Sequence, residues 1–85
     1  MTNTRIILEK LQSKKELFTL KYNQANDWDF ITHARTLLIE MSEYRNIDPE
    51  IDKWIILHEK MIWDSILLRV ANLYGDSLKK ENIIL

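Results

Sequence analysis

The chain has 85 residues, a mass of 10.2 kDa and a formal net charge of -1, which excludes a strong whole-molecule attraction for nucleic acid or anionic membrane. With no cysteine, one glycine and one proline, it offers no disulfide, cysteine zinc site, thiol nucleophile or glycine-rich phosphate loop. Apolar residues at 46 % and charged residues at 29 % give the balance of a globular protein, and so short a chain gains stability by associating with another.

The first predicted element is a helix from about Thr4 to Gln24. Ile7, Leu8, Leu11, Leu17, Phe18 and Tyr22 recur at helical spacing, and Lys10, Lys14, Lys15 and Lys21 stand opposite. Ahead of it, Met1–Arg5 leads into an apolar run that Glu9 and Lys10 interrupt. That run is too short for a secretory signal, and no window approaches the roughly 18–20 apolar residues of a membrane span. The expectation is a cytoplasmic protein without a membrane partner.

A second helix is expected over about 27–45, with Asn26 or Asp27 as its N-cap and Asp29 complementing the helix dipole. Phe30, Ile31, Ala34, Leu37, Leu38, Met41 and Tyr44 form one broad apolar stripe; Thr32, Arg35, Thr36, Glu40 and Glu43 face away from it.

The clearest signal is Asp48-Pro49-Glu50: an N-cap residue, then proline at the first helical position, then an acid at the positive helix end. The third helix is predicted over 49–74, about 39 Å long at 1.5 Å per residue, with Gly75 as a left-handed stop. Its apolar residues fall into three stripes: Ile51, Ile55, Ile62, Ile66 and Leu73; Ile56, Trp63, Leu67, Val70 and Tyr74; and Trp54, Leu57, Met61 and Leu68. A helix apolar on most sides is buried on most sides. Two other helices cover two of these stripes, so the third stripe needs the tail over 77–85, folded back through Ser77 and Ile83-Ile84-Leu85, or a second chain. The expected fold is all-α: a single domain over residues 1–85, a three-helix antiparallel bundle with a long, largely buried third helix, completed by dimerisation.

Catalytic signals are weak. His33 and His58 lack the spacing of a two-histidine zinc helix, since Ile62 stands four residues after His58. Thr32-His33-Ala34-Arg35-Thr36 superficially resembles a histidine phosphotransfer stretch. The lysine and small residue that should follow the histidine are absent, however, and so is a fourth helix. Arg45-Asn46-Ile47-Asp48 with Ile51-Asp52 faintly resembles the start of helical chorismate mutases, but Pro49 breaks the helix between the two Ile-Asp pairs. No nucleophile stands with a base.

The reading is therefore a non-enzymatic protein that binds a protein partner as a homodimer or heterodimer, in the manner of an inhibitor, an immunity-type protein or a chaperone-like adaptor. Trp54, Met61, Trp63 and Leu67 are the expected contacts, since tryptophan anchors interfaces through its large rigid area. The alternative is a dimeric nucleic-acid-binding regulator that meets phosphates through Lys10, Lys14, Lys15 and Lys21. No cofactor or metal is expected.

Overall fold

A computed structural model describes residues 2–84, with side chains described over 3–75. It is all-helical: α1 spans Thr2–Tyr22, α2 Asp27–Ser42 and α3 Pro49–Ile84. Among the described residues there are no strands.

α1 forms because Lys, Glu, Leu and Gln dominate it, all strong helix formers. α2 starts as its caps dictate. Asn26 sits in extended backbone, and its side chain accepts a hydrogen bond from the Asp29 N–H at 2.9 Å. The helix ends at Ser42, three residues short of the expected end, and 43–47 form a turn. Within that turn Asn46 takes φ 66°, the left-handed region that asparagine tolerates. Its N–H donates to Asp52 Oδ1 at 2.9 Å. Arg45 Nε lies 3.4 Å from the same oxygen as an ion pair without hydrogen-bond geometry.

α3 starts at Pro49 as expected. Asp48 Oδ1 accepts from the Glu50 N–H at 2.8 Å, while its Oδ2 accepts from the Thr4 hydroxyl at 2.8 Å. The second bond ties the start of α1 to the start of α3. These two donors, the Glu50 amide first, hold the Asp48 carboxyl below its ordinary pKa.

The end of α3 departs from expectation. Gly75 has no positive φ, and the helix continues through it to Ile84. A single glycine weakens a helix without stopping it when no capping geometry forms. The backbone of 77–84 therefore runs straight on instead of folding back; the side chains of the Ile83-Ile84-Leu85 end lie outside the described residues. At 36 residues, α3 is about 54 Å long and sets the 61 Å length of a backbone trace only 14 Å across in its thinnest direction.

The core comprises Leu11 from α1, Phe30, Ala34, Leu37, Leu38 and Met41 from α2, and Ile51, Ile55, Ile62 and Ile66 from α3. The α2 stripe is buried as its periodicity predicts. In α1 only Leu11 is fully buried, and Leu17, assigned to the apolar face, is 64 % exposed. On α3 only the first stripe is buried, and only from Ile51 to Ile66; Leu73 at its end is half-buried. The other two stripes stand largely in solvent, which corrects the expectation of a largely buried third helix. The reason is geometric: α1 and α2 also pack on each other, so both meet the same side of α3.

Arg69 fastens the far end of the bundle. Its guanidinium donates to Ala25 O at 2.8 Å, Asp27 Oδ1 at 3.0 Å and Asn23 O at 2.9 Å. It also lies 4.4 Å from the centre of the Phe30 ring. The α1–α2 loop is thereby tied to α3.

Candidate protein-binding surface

Helical spacing of about 100° per residue decides which exposed side chains share a surface. On α3 the buried row Ile51, Ile55, Ile62 and Ile66 marks the inward direction. Ile56, Trp63, Leu67 and Tyr74 stand on one flank of that row, each more than half exposed. Trp54, Leu57, Met61 and Leu68 stand on the other.

The two flanks have different neighbours. Val70 and Tyr74 share an apolar groove of 500 Å³ with Trp28 and Ile31, so their flank adjoins α2. Met61 lines a groove with Phe18 and Thr19 of α1, and Trp54 lines one with Leu8 and Gln12. The opposite flank therefore adjoins α1. The four expected contacts divide accordingly. Trp63 and Leu67 lie together beside α2. Met61 and Trp54 lie beside α1, with Met61 roughly 160° around the helix from Trp63. Trp54 is half-buried and stacks on the His58 ring at 3.8 Å.

α2 extends the Trp63 flank. Trp28 is 68 % exposed and Ile39 is 53 % exposed, both on the side of α2 that carries Ile31. Sequence reasoning did not assign them to a surface. Their signal was present, since both fall outside the α2 core stripe.

The lysines also divide. Lys14 Nζ donates to Glu40 Oε2 at 3.1 Å. Lys10 lies 5.7 Å from the centre of the Tyr44 ring, and Lys21 lies 5.5 Å from that of Tyr22. These three follow the α1–α2 edge. Tyr44 raises the Lys10 pKa above its ordinary value, by hydrogen bonding first and by charge second. Lys15 lies apart, in the groove with Phe18 and Met61.

Both histidines are engaged locally. His33 Nδ1 is 2.8 Å from Asp29 O and its ring stacks on Tyr22 at 4.0 Å. His58 Nδ1 is 2.8 Å from Trp54 O. A ring nitrogen facing a carbonyl must carry the proton, so Nδ1–H is the donor in each. His33 borders a groove of 290 Å³ with Lys14, Tyr22 and Glu40, but the Glu40 carboxylate already accepts from Lys14. Among the described residues, no group of three or more His, Asp or Glu is placed to hold a metal ion, and no helix is long and apolar enough to cross a membrane.

Comparison with protein families, with curated proteins and with solved structures finds no match for this chain.

Proposed function

We propose that this chain is a non-enzymatic cytoplasmic protein that acts by binding another protein. Inhibitor, immunity-type and chaperone-like adaptor roles all fit that mode of action. The arrangement proposed for it is an antiparallel succession of three helices, completed by dimerisation. The Lys14–Glu40 pair and the Phe18–Phe30 contact, with ring centres 5.3 Å apart, support the opposite directions of α1 and α2. One observation carries the functional reading: Trp28, Ile56, Trp63, Leu67 and Tyr74 are large apolar side chains, each more than half exposed and gathered on one side of α2 and α3. Contiguous exposed apolar surface of this kind marks an interaction site. Two exposed tryptophans supply the anchors that interfaces favour.

Photo-reactive amino acids placed singly at Leu67 and at Leu20 test the reading. Leu20 is 84 % exposed on α1. Irradiation in cells should give protein adducts from Leu67 and none from Leu20. No protein adduct from Leu67 overturns the reading.

A dimeric nucleic-acid-binding regulator is the second reading, supported by the shared edge of Lys10, Lys14 and Lys21. Glu40 neutralises one of the three and the net charge is -1, so the first reading is preferred. Salt-dependent RNA or DNA binding that is lost on charge reversal at Lys10 and Lys21 would reverse that order.

A further inference from the structure

The apolar row beside α2 has an internal order. Along α3 it runs 56, 60, 63, 67, 70, 74, alternating steps of four and three, which is the seam of a coiled coil. Five members are apolar and the sixth is Lys60.

We propose that the occupant of this face is a second copy of this chain, with the two α3 helices antiparallel about a two-fold axis level with Ser65. This inference rests on the protein-binding reading and names the partner. The row is symmetric about position 65. Ile56 and Tyr74 are each nine residues from it, Lys60 and Val70 five, and Trp63 and Leu67 two. A two-fold axis there sets Trp63 against Leu67 of the partner subunit, Ile56 against the partner's Tyr74, and Lys60 against the partner's Val70. Each apolar layer joins an aromatic ring to an aliphatic side chain. The Lys60 stem lies along valine with its ammonium at the solvent rim.

The parallel alternative fails on the same residues. It stacks Trp63 on Trp63 and brings two Lys60 ammonium groups into one layer, where like charges repel. The area also suits self-pairing. Trp28, Ile56, Trp63, Leu67 and Tyr74, each more than half exposed, present on the order of 600–700 Å² per molecule, close to the roughly 800 Å² per partner of a stable interface. Trp28 reaches this face from α2 and extends the patch beyond one helix.

The test is sedimentation equilibrium of the full chain with two variants. Leu67 and Leu68 are 60 % and 65 % exposed on opposite flanks of α3, so neither substitution disturbs the core. Leu67→Glu should weaken dimerisation at least about a hundredfold, because a two-fold axis counts each substitution twice. Leu68→Glu should leave it unchanged, and both variants should keep wild-type helicity. Spin labels on Lys53→Cys fix the orientation. Twelve residues from the axis, they stand about 36 Å apart along the helices if the chains are antiparallel, and about 10 Å apart if parallel. A dimer that survives Leu67→Glu, or one with the short label distance, overturns the proposal. So does a wild-type chain that stays monomeric at about 0.1 mM. If that monomer still gives protein adducts from Leu67, self-pairing fails while the protein-binding reading stands.

Discussion

Replacing Arg69 should unfasten the end of the bundle. The guanidinium makes three hydrogen bonds of 2.8–3.0 Å, two to carbonyls of the α1–α2 loop and one to Asp27 at the start of α2, and one cation–π contact with Phe30. Hydrogen bonds to a charged group are worth about 1.5–3 kcal/mol each when buried. Here the side chain is 21 % exposed and the freed loop carbonyls regain water, so the set is discounted to about 2–3 kcal/mol for Arg69→Ala. A domain of this size is stable by roughly 4–13 kcal/mol, so the loss is a large share of the whole. At about 4–8 °C per kcal/mol, the melting temperature should fall by roughly 10–20 °C. Asp27→Asn should cost about 1 kcal/mol, less than Arg69→Ala, because it weakens the partly buried ion pair and the charge at the start of α2 but leaves both carbonyl bonds. Arg35→Ala, on the exposed side of α2, should stay within about 0.5 kcal/mol of wild type. Urea denaturation followed by circular dichroism measures all three. An Arg69→Ala variant no less stable than Arg35→Ala would refute the fastening role.

Three further outcomes follow from the packing. Leu11→Ala removes a fully buried side chain from α1 and should cost about 2–5 kcal/mol, whereas Leu17→Ala on the same helix should cost under about 0.5 kcal/mol by the same denaturation assay. Gly75→Ala should raise helicity in circular dichroism, since φ is not positive and an added Cβ meets nothing within 4 Å; lost helicity would restore the left-handed stop. The Asp48 carboxyl has its folded pKa depressed, so the unfolded chain binds more protons as pH falls through the acid range. The stabilisation from Asp48 is complete above the unfolded value near 3.8 and is lost as pH drops through the lower folded value. Asp48→Asn should flatten the acid limb of stability against pH, and an unchanged slope would show that neither Glu50 nor Thr4 binds the charged form.

The features legible in the sequence are the local ones. The Asp48-Pro49-Glu50 start is written in neighbouring residues, and the α2 stripe follows from periodicity alone. The end of α3 is not legible, because glycine is permissive in either conformation and no residue beside Gly75 forces the left-handed one. The coverage of α3 was overestimated because hydrophobic spacing tells which residues prefer burial and not how many helices are present to bury them. Arg69 was invisible for a related reason: its acceptors are carbonyls more than forty residues away, and backbone groups carry no sequence signature. Of the four expected contacts, spacing already separated Trp63 and Leu67 from Trp54 and Met61. The contribution of Trp28 needed the placement of α2 beside Val70 and Tyr74.

The thin backbone trace, 14 Å across at its narrowest, has a calorimetric consequence. Part of the apolar surface of this slab is already wet when it is folded, so unfolding a lone molecule exposes less new apolar surface than unfolding a domain whose helices are covered on every side. Its heat-capacity increment should fall below the usual ~12–15 cal/mol/K per residue, giving a shallow stability curve and a broad melt. Two slabs joined back to back would hide the wet side. The increment per chain would then climb toward the ordinary range, and the melting midpoint would rise with protein concentration.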